Sequence, residues 1–314
     1  MENPTPSVLL IAFNRPVEAR RVFEQIRLVR PSRLYVACDG PRSSEKGEIE
    51  LVEKVRALAS QVDWPCEVKT RFLEQNLGCG RAVSSAIEWF LNDAQEGIIL
   101  EDDCLPTPAF FRFCAIMLNR YRDDERVALI AGSNMSPLIE LEHSYGFSTV
   151  LSCWGWATWR RTWDKYSLQP QPIEVGEKAV EGLHINAVRF LERTSLKISK
   201  GEVHTWDYQL MIQLLRSRQL VAIPRENLIL NIGFSGSGAH YAKSGRPWAA
   251  PAFAFNPSTN WDERPPVVTN KDYDQHSLAA GHRGSSRIWR QILKWRILWK
   301  RRTRSNDATL FDSN

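Results

Sequence analysis

At 314 residues the chain is long enough to bury a large core, in one domain or in two intimately packed ones. Hydrophobic residues at 43% and charged residues at 25% are ordinary for a globular protein, and no apolar run approaches the roughly 18 residues of a membrane-spanning helix. The net charge of +5 is local: residues 283–304 hold nine Lys/Arg and no acid, which leaves a mildly acidic body. A basic tail on such a body points to an anionic surface as partner and away from a nucleic-acid-binding core.

The opening MENPTPS lacks a basic region followed by an apolar segment, the pattern of a signal peptide or anchor, so a cytoplasmic protein is expected. The six cysteines, at 38, 66, 79, 104, 114 and 153, show no CxxC pairs, which argues against a zinc site and a disulfide framework and for free thiols.

SVLLIAF (7–13) is a continuous apolar run, as for a strand buried on both faces, and Pro16 then opens a helix with Ala19, Phe23 and Ile26 among its apolar positions. RLYVAC (33–38) is a second such strand, stopped by Asp39, Gly40 and Pro41; Ile49, Val52, Val55, Ala59 and Val62 follow at helical spacing. CEVKTRFL (66–73) predicts a third strand, 76–80 its loop, and 81–91 a helix burying Val83, Ile87 and Phe90. GIILEDDCLPTP (97–108) is a fourth strand that ends in Glu101, Asp102 and Asp103. Pro108 marks the next helix start, Phe110, Cys114, Met117 and Tyr121 give its apolar face, and VALIAG (127–132) predicts a further strand.

Strands alternating with helices imply an α/β unit with a mainly parallel sheet and helices on both faces. Such sheets bind ligands at the carboxyl ends of their strands, where Asn14, Arg15, Asp39, Asn76, Arg81 and the three acids all fall. Past Gly132 the rhythm breaks. Trp154, Trp156, Trp159 and Trp163 crowd together, a polar stretch runs to about residue 200, and Asp207 immediately precedes a helix that leads into a strand. The expected organisation is a ligand-binding α/β half over 1–132, a second half over 133–246 that completes the cleft, and an irregular C-terminal segment over 247–314. GFSGSGAH (233–240) reads as a loop flexible enough to order over a ligand. The basic amphipathic helix expected over 283–304 suits either an anionic membrane surface or docking on the body.

Three adjacent carboxylates repel one another and are tolerated when solvated, when paired with basic side chains, or when a divalent cation neutralises them. Transfer from a nucleoside-diphosphate sugar needs a cation for the departing diphosphate, and Asp103 is then the expected ligand of Mn2+ or Mg2+, its neighbours bonding ribose or sugar hydroxyls. A structural acidic turn is the alternative. Arg15 and Arg81 can meet the base or phosphates, or sit in surface salt bridges; Arg81 stands at a Gly-flanked helix start, where amide ends favour an anion. Asp39 is by default a turn former and secondarily a base acceptor. The tryptophans, Trp154 and Trp156 among them, offer flat faces to sugar rings, although at least two of the four are expected in the core. Asp207 either caps its helix or, facing the cleft, takes a proton as general base.

IILEDDCLPTPAFF resembles the acidic motif of the N-acetylglucosaminyltransferase I family of GT-A glycosyltransferases, where E-D-D is followed by a short apolar stretch, a Pro and a Phe-Phe pair. LLIAFNRP, VACDG, AGSNMSP, WGWATW, HTWDYQLMIQ and GFSGSGAH resemble further segments of that family in order and approximate spacing, from residue 7 to about 240. The resemblance implies a GT-A fold, base contact by Arg15, uracil contact by Asp39, sugar contact by Glu101, ribose contact by Asp102, metal binding by Asp103, a site role for Asn134 and acceptor deprotonation by Asp207. Direct displacement with inversion follows from one base and no nucleophile. The residues show no segment resembling the membrane anchor of the animal members, so none is expected, and the segment after the third strand differs, which makes Arg81 a looser match. A relative of this kind, with a basic amphipathic tail, fits a bacterial enzyme building surface polysaccharide at the inner face of a membrane.

The reading is a metal-dependent, inverting glycosyltransferase that moves a sugar from a nucleotide sugar, foremost a UDP-sugar, to a glycan or glycolipid. One alternative is a nucleotidyltransferase, which is expected to open with a Gly-rich phosphate loop after the first strand; FNRPVEARR has none. Another is a catalytically silent glycan- or nucleotide-binding module built on the tryptophans.

Overall fold

The computed structural model describes residues 4–137, 139–233 and 261–281; the expected loop over 234–240, most of the irregular stretch and the basic helix over 283–304 lie outside them. The first half alternates as its apolar pattern requires: β1 (Val8–Ala12), α1 (Pro16–Val29), β2 (Arg33–Cys38), α2 (Glu48–Arg56), β3 (Glu67–Phe72), α3 (Gly78–Ala94) and β4 (Glu96–Glu101). A short β5 (Cys104–Pro106), α4 (Pro108–Arg120) and β6 (Val127–Ala131) follow. The second half contributes β7 (Tyr145–Ser148), β8 (Trp156–Trp159), the single turn α5 (Arg160–Trp163), α6 (Ile185–Ser199), α7 (Asp207–Arg216), β9 (Leu220–Pro224), β10 (Ile229–Asn231) and α8 (Lys271–Gly281).

Eight strands form one sheet in the order β3-β2-β1-β4-β8-β6-β9-β7. β8 runs antiparallel to β4 and β6, and β7 antiparallel to β9, so six strands share one direction. This is the expected α/β architecture, a mainly parallel sheet with helices on both faces. The period-2 rule is visible along β1, where Val8, Leu10 and Ala12 join the core under α1, α2 and α4, and Leu9 and Ile11 join the core under α3 and α7. A third apolar cluster lies away from the sheet, where α7 turns Met211, Ile212 and Leu215 toward Val188 and Leu191 of α6 and Leu278 of α8. β10 pairs antiparallel with β5, which ties the segment after β9 to the chain just past the three acids.

Three local expectations change. α2 stops at Arg56 and passes into a 3-10 turn over Ala57–Gln61, and Ile49 points out of it, 63% exposed, so the buried face is carried by Val52 and Val55. α3 begins at Gly78, three residues early, because the Asp39 carboxylate accepts from Leu77 N at 2.9 Å and Gly78 N at 3.1 Å and so satisfies amides that open the helix. The polar stretch before residue 200 contains α6, and the C-terminal segment contains α8, whose Asp274 accepts from the hydroxyls of Ser148, Thr149 and Thr269 and clasps the end of β7.

Candidate functional site

The strand register builds the floor of a cleft. Arg71 of β3 pairs with Ala37 of β2, Ala37 with Ile11 of β1, and Ile11 with Glu101 of β4, so four side chains stand in one row on the face covered by α3. All four line a cavity of about 320 Å³, closed on the other side by Ala82 and Val83 of α3. The floor is apolar in the middle, with a guanidinium at one end and carboxylates at the other.

The basic end is held by a network that the sequence did not advertise. Glu48, 3% exposed, accepts from Asn14 Nδ2 at 2.8 Å and from Arg42 N at 2.6 Å, and pairs with the Arg42 guanidinium. Arg42 is thereby laid over the Phe13 ring, 5.5 Å from its centroid, on the cavity wall. Its side chain holds the Glu48 carboxyl below the ordinary carboxylate range. Asn76 Nδ2 donates to Gly40 O at 2.8 Å, and Arg71 Nη2 donates to Ser85 Oγ at 3.1 Å. Nothing in the sequence singles out Arg71 or Arg42, since an arginine in an alternating edge strand and another in a Pro/Ser turn look like solvated surface.

At the acidic end Arg15 supplies the pairing that three adjacent acids require. Its Nη1 donates to Asp103 Oδ2 at 2.9 Å and its Nη2 to Asp102 Oδ1, while Phe13 N donates to Asp102 Oδ2 at 3.1 Å. Burial pushes the Asp102 carboxyl up to about 6, against the pull of Arg15. Among the described residues Glu101 has no such hydrogen-bonded partner: burial raises it first, followed by the charges of Asp103, Asp102 and Asp207, and Arg15 offsets only part of this. The chain then returns over this point. Ile232 N donates to Asp103 O at 2.8 Å, and Gly233 packs so close that an added Cβ would stand 2.5 Å from Asp103 Oδ2 and 3.1 Å from Arg15 Nη1. Only the first residue of the expected Gly/Ser loop is among those described, and it lies against Asp103.

Asp207 is the first residue of α7, and the cap position is Trp206, so Asp207 does not serve as the helix cap. Its Oδ1 accepts from the Thr205 hydroxyl. Thr205 is itself fixed, because its carbonyl accepts from Gln209 Nε2 at 2.5 Å and lies 2.9 Å from where a Cβ on Gly80 would be. The absence of a side chain at Gly80 therefore lets the start of α3 approach the start of α7, and Asp207 comes close enough to raise Glu101 electrostatically.

The carboxylates suit a cation shared with a substrate. Among the described residues no group of three His, Cys, Asp or Glu side chains converges to hold a metal alone. Mg2+ and similar hard cations are commonly held by one or two carboxylates with substrate phosphates and water completing the shell. Asp103, partly exposed, fits that division of ligands.

Other expected site residues fall elsewhere. Trp156 is fully buried and stacks on Trp206 at 5.6 Å between centroids, so it offers no face to a sugar; its place is in the core, with Trp159 and Trp163. Trp154 is half-buried against the core. Asn134, 2% exposed, is a brace: its backbone N donates to Asn227 Oδ1 at 2.7 Å, its Nδ2 to Arg225 O at 2.7 Å, and its Oδ1 accepts from Ser136 N at 2.9 Å. Arg81 is exposed on α3 and does not line the cavity, because the amides of this helix start are turned to Asp39. Asp39 lines the cavity, yet its Oδ1 also accepts from Gly40 N at 2.8 Å, so most of its hydrogen-bonding capacity holds the loop before α3.

No protein-family model matches the sequence, and no curated protein matches it. Solved structures with some likeness include HddC from Yersinia pseudotuberculosis, at 10% identity over 51% of this chain and 80% of that one with a TM-score of 0.31. A UDP-glucose pyrophosphorylase complexed with UDP-glucose shares 7% identity over 70% of this chain and 89% of that one, TM-score 0.37, and an apo UDP-glucose pyrophosphorylase 8% over 69% and 90%, TM-score 0.33. At these scores the likenesses decide nothing about chemistry, which rests on the site itself.

Proposed function

We propose that the chain is a metal-dependent, inverting glycosyltransferase that moves a sugar from a nucleotide sugar, foremost a UDP-sugar, to a hydroxyl of a glycan or glycolipid. The observation that carries this reading is the cleft: a slot with a basic end and an apolar floor runs to Glu101, with Asp102 and Asp103 next to it and Asp207 within electrostatic reach. A nucleotide sugar has the same sequence of parts, a flat base, a ribose, a diphosphate and a sugar.

In this reading Asp39 and Arg15 serve the nucleotide, Asp102 the ribose and Glu101 the transferred sugar. Asp103 would hold Mn2+ or Mg2+, whose positive charge would be the Lewis-acid help for a departing diphosphate. Arg15 holds Asp102 and Asp103 in fixed orientation through its two arms. The Thr205 hydroxyl occupies Asp207 Oδ1, which leaves Oδ2 to take the acceptor proton. The bond from the anomeric carbon to the acceptor oxygen forms as the bond to the phosphate oxygen breaks, the electron pair leaves with the diphosphate, and one displacement inverts the centre. No described helix is long and apolar enough to cross a membrane; a glycolipid acceptor would be reached by peripheral contact through residues 283–304.

The test is a thermal-shift screen of UDP-, GDP-, CMP- and dTDP-sugars with and without Mn2+, because a ligand that binds the folded state raises its melting temperature. A Mn2+-dependent rise with a uridine donor is expected. No shift with any nucleotide sugar would refute the reading, and release of pyrophosphate from UTP and a sugar 1-phosphate would replace it with nucleotidyl transfer.

A further inference from the structure

Resting on the reading of the cleft as a nucleotide-sugar site, we infer that Arg71 reads the base at pyrimidine C4 or purine C6 and selects a carbonyl there, as in uracil, thymine or guanine, over the amino group that cytosine and adenine carry at that position. The register row places Arg71 three strand spacings from Glu101, roughly 14 Å at the usual separation of neighbouring strands. That span takes a base and a ribose laid end to end. Between them the floor is Ala37 and Ile11, and the opposing wall is Ala82 and Val83, an apolar slot for the faces of a ring. A ligand whose hydroxyl-bearing part meets Glu101 and Asp102 therefore brings its ring edge to Arg71.

The hydrogen-bonding capacity left at that end is dominated by donors. Asp39 Oδ1 already accepts two amides, from Gly40 and Leu77, and Oδ2 accepts one from Gly78. Arg42 spends Nε and Nη2 on Glu48. Among the described residues Arg71 spends one of its five N–H donors on Ser85 Oγ, which leaves the rest of its planar fork for a ligand. A carbonyl oxygen beside it gains a charge-assisted hydrogen bond. The exocyclic amine of cytosine or adenine would instead set N–H against N–H, leaving both without an acceptor in a partly desolvated slot. The single lone pair left on Asp39 Oδ2 suits the ring N–H that flanks a carbonyl in uracil, thymine and guanine.

The experiment is isothermal titration of the full chain with UDP, CDP, GDP and ADP at fixed ionic strength and saturating Mn2+, repeated with Arg71→Met and Arg71→Lys. Wild type is expected to bind UDP at least about 10-fold more tightly than CDP, and GDP more tightly than ADP. Arg71→Met should bring the UDP/CDP ratio to within about twofold by weakening UDP, and Arg71→Lys should keep part of it, since lysine retains the charge without the planar fork. Arg71 is only half-buried on an edge strand, so both variants should keep the wild-type melting temperature. Equal binding of UDP and CDP by wild type, or an undiminished ratio in Arg71→Met, would overturn this inference and leave the donor site standing. Failure of all four nucleotides to bind would overturn the donor site and this inference together.

Discussion

The two ends of the cleft solve the same electrostatic problem in different ways. At the basic end the acids are matched within the protein, the buried Glu48 by Arg42 and Asn14 and Asp39 by three amides, while Arg71 meets only the neutral Ser85 hydroxyl among the described residues. At the acidic end one guanidinium, Arg15, serves two carboxylates, and burial together with the charges of Asp103, Asp102 and Asp207 raises Glu101 more than Arg15 lowers it. The first arrangement fixes a shape and leaves donors for a ligand; the second gathers more acid than base and gains most from a bound cation and its phosphates. Binding specificity is thus expected to reside at one end and chemistry at the other.

The largest expected effect breaks this division at its chemical end. Asp207→Asn keeps the shape of the side chain but removes its basicity, so donor-to-acceptor transfer should fall by about a thousandfold while UDP affinity stays within about twofold. Near-normal turnover, measured by product release, would remove Asp207 from the mechanism. Asp103→Ala should next cost about 100-fold in Mn2+-dependent nucleotide affinity by calorimetry. Its Mn2+-independent binding should change little, because the Arg71 end is untouched.

A smaller effect tests how Asp207 is held. Thr205→Val removes the hydroxyl that occupies Oδ1, and kcat should fall by about 10-fold at unchanged donor KM, with Thr205→Ser restoring most of it. A change confined to KM would place Thr205 outside the control of the base. The smallest effect lies away from the cleft, in the α8 clasp. Burial lowers the His276 imidazole from its ordinary 6.5, and its Nδ1 meets Ser136 Oγ at 2.9 Å. The folded pKa lies below the unfolded one, so this contribution is fully present above the unfolded value and is lost as pH falls through the folded one. Between about pH 7 and 5 the melting temperature of wild type should therefore fall more steeply than that of His276→Gln, by a few degrees.

Much of the first half was legible because its strands are buried on both faces and read as unbroken apolar runs. Arg33–Cys38 has the expected limits, and β1 and β4 end at the residues that carry the site. The convergence of Arg15, Asp102 and Asp103 followed from topology alone, since consecutive parallel strands deliver their carboxyl ends to one edge. Arg71 was hidden because β3 is an edge strand whose partly exposed side chains carry no burial signal, and its place in the cleft is set by pairing with Ala37. The family resemblance implies a site role for Asn134 and residue type suggests a sugar-facing Trp156, whereas in the structure Asn134 braces a loop and Trp156 packs in the core. α6 is hard to see in the sequence because its apolar stripe of Ala187, Val188, Leu191 and Ile198 is diluted by charges and packs on helices, not on the sheet. α8 depends on distant partners such as Ser136 and Ser148, which no local pattern reveals.

The most direct measurement of the central claim is the identity of the leaving group. The purified chain, a panel of UDP-sugars and Mn2+ should release UDP, slowly to water and faster when a glycan or glycolipid acceptor is supplied, and chelation of the metal should stop it. Pyrophosphate release from UTP and a sugar 1-phosphate, or nucleotide binding with no turnover of any donor, would contradict it.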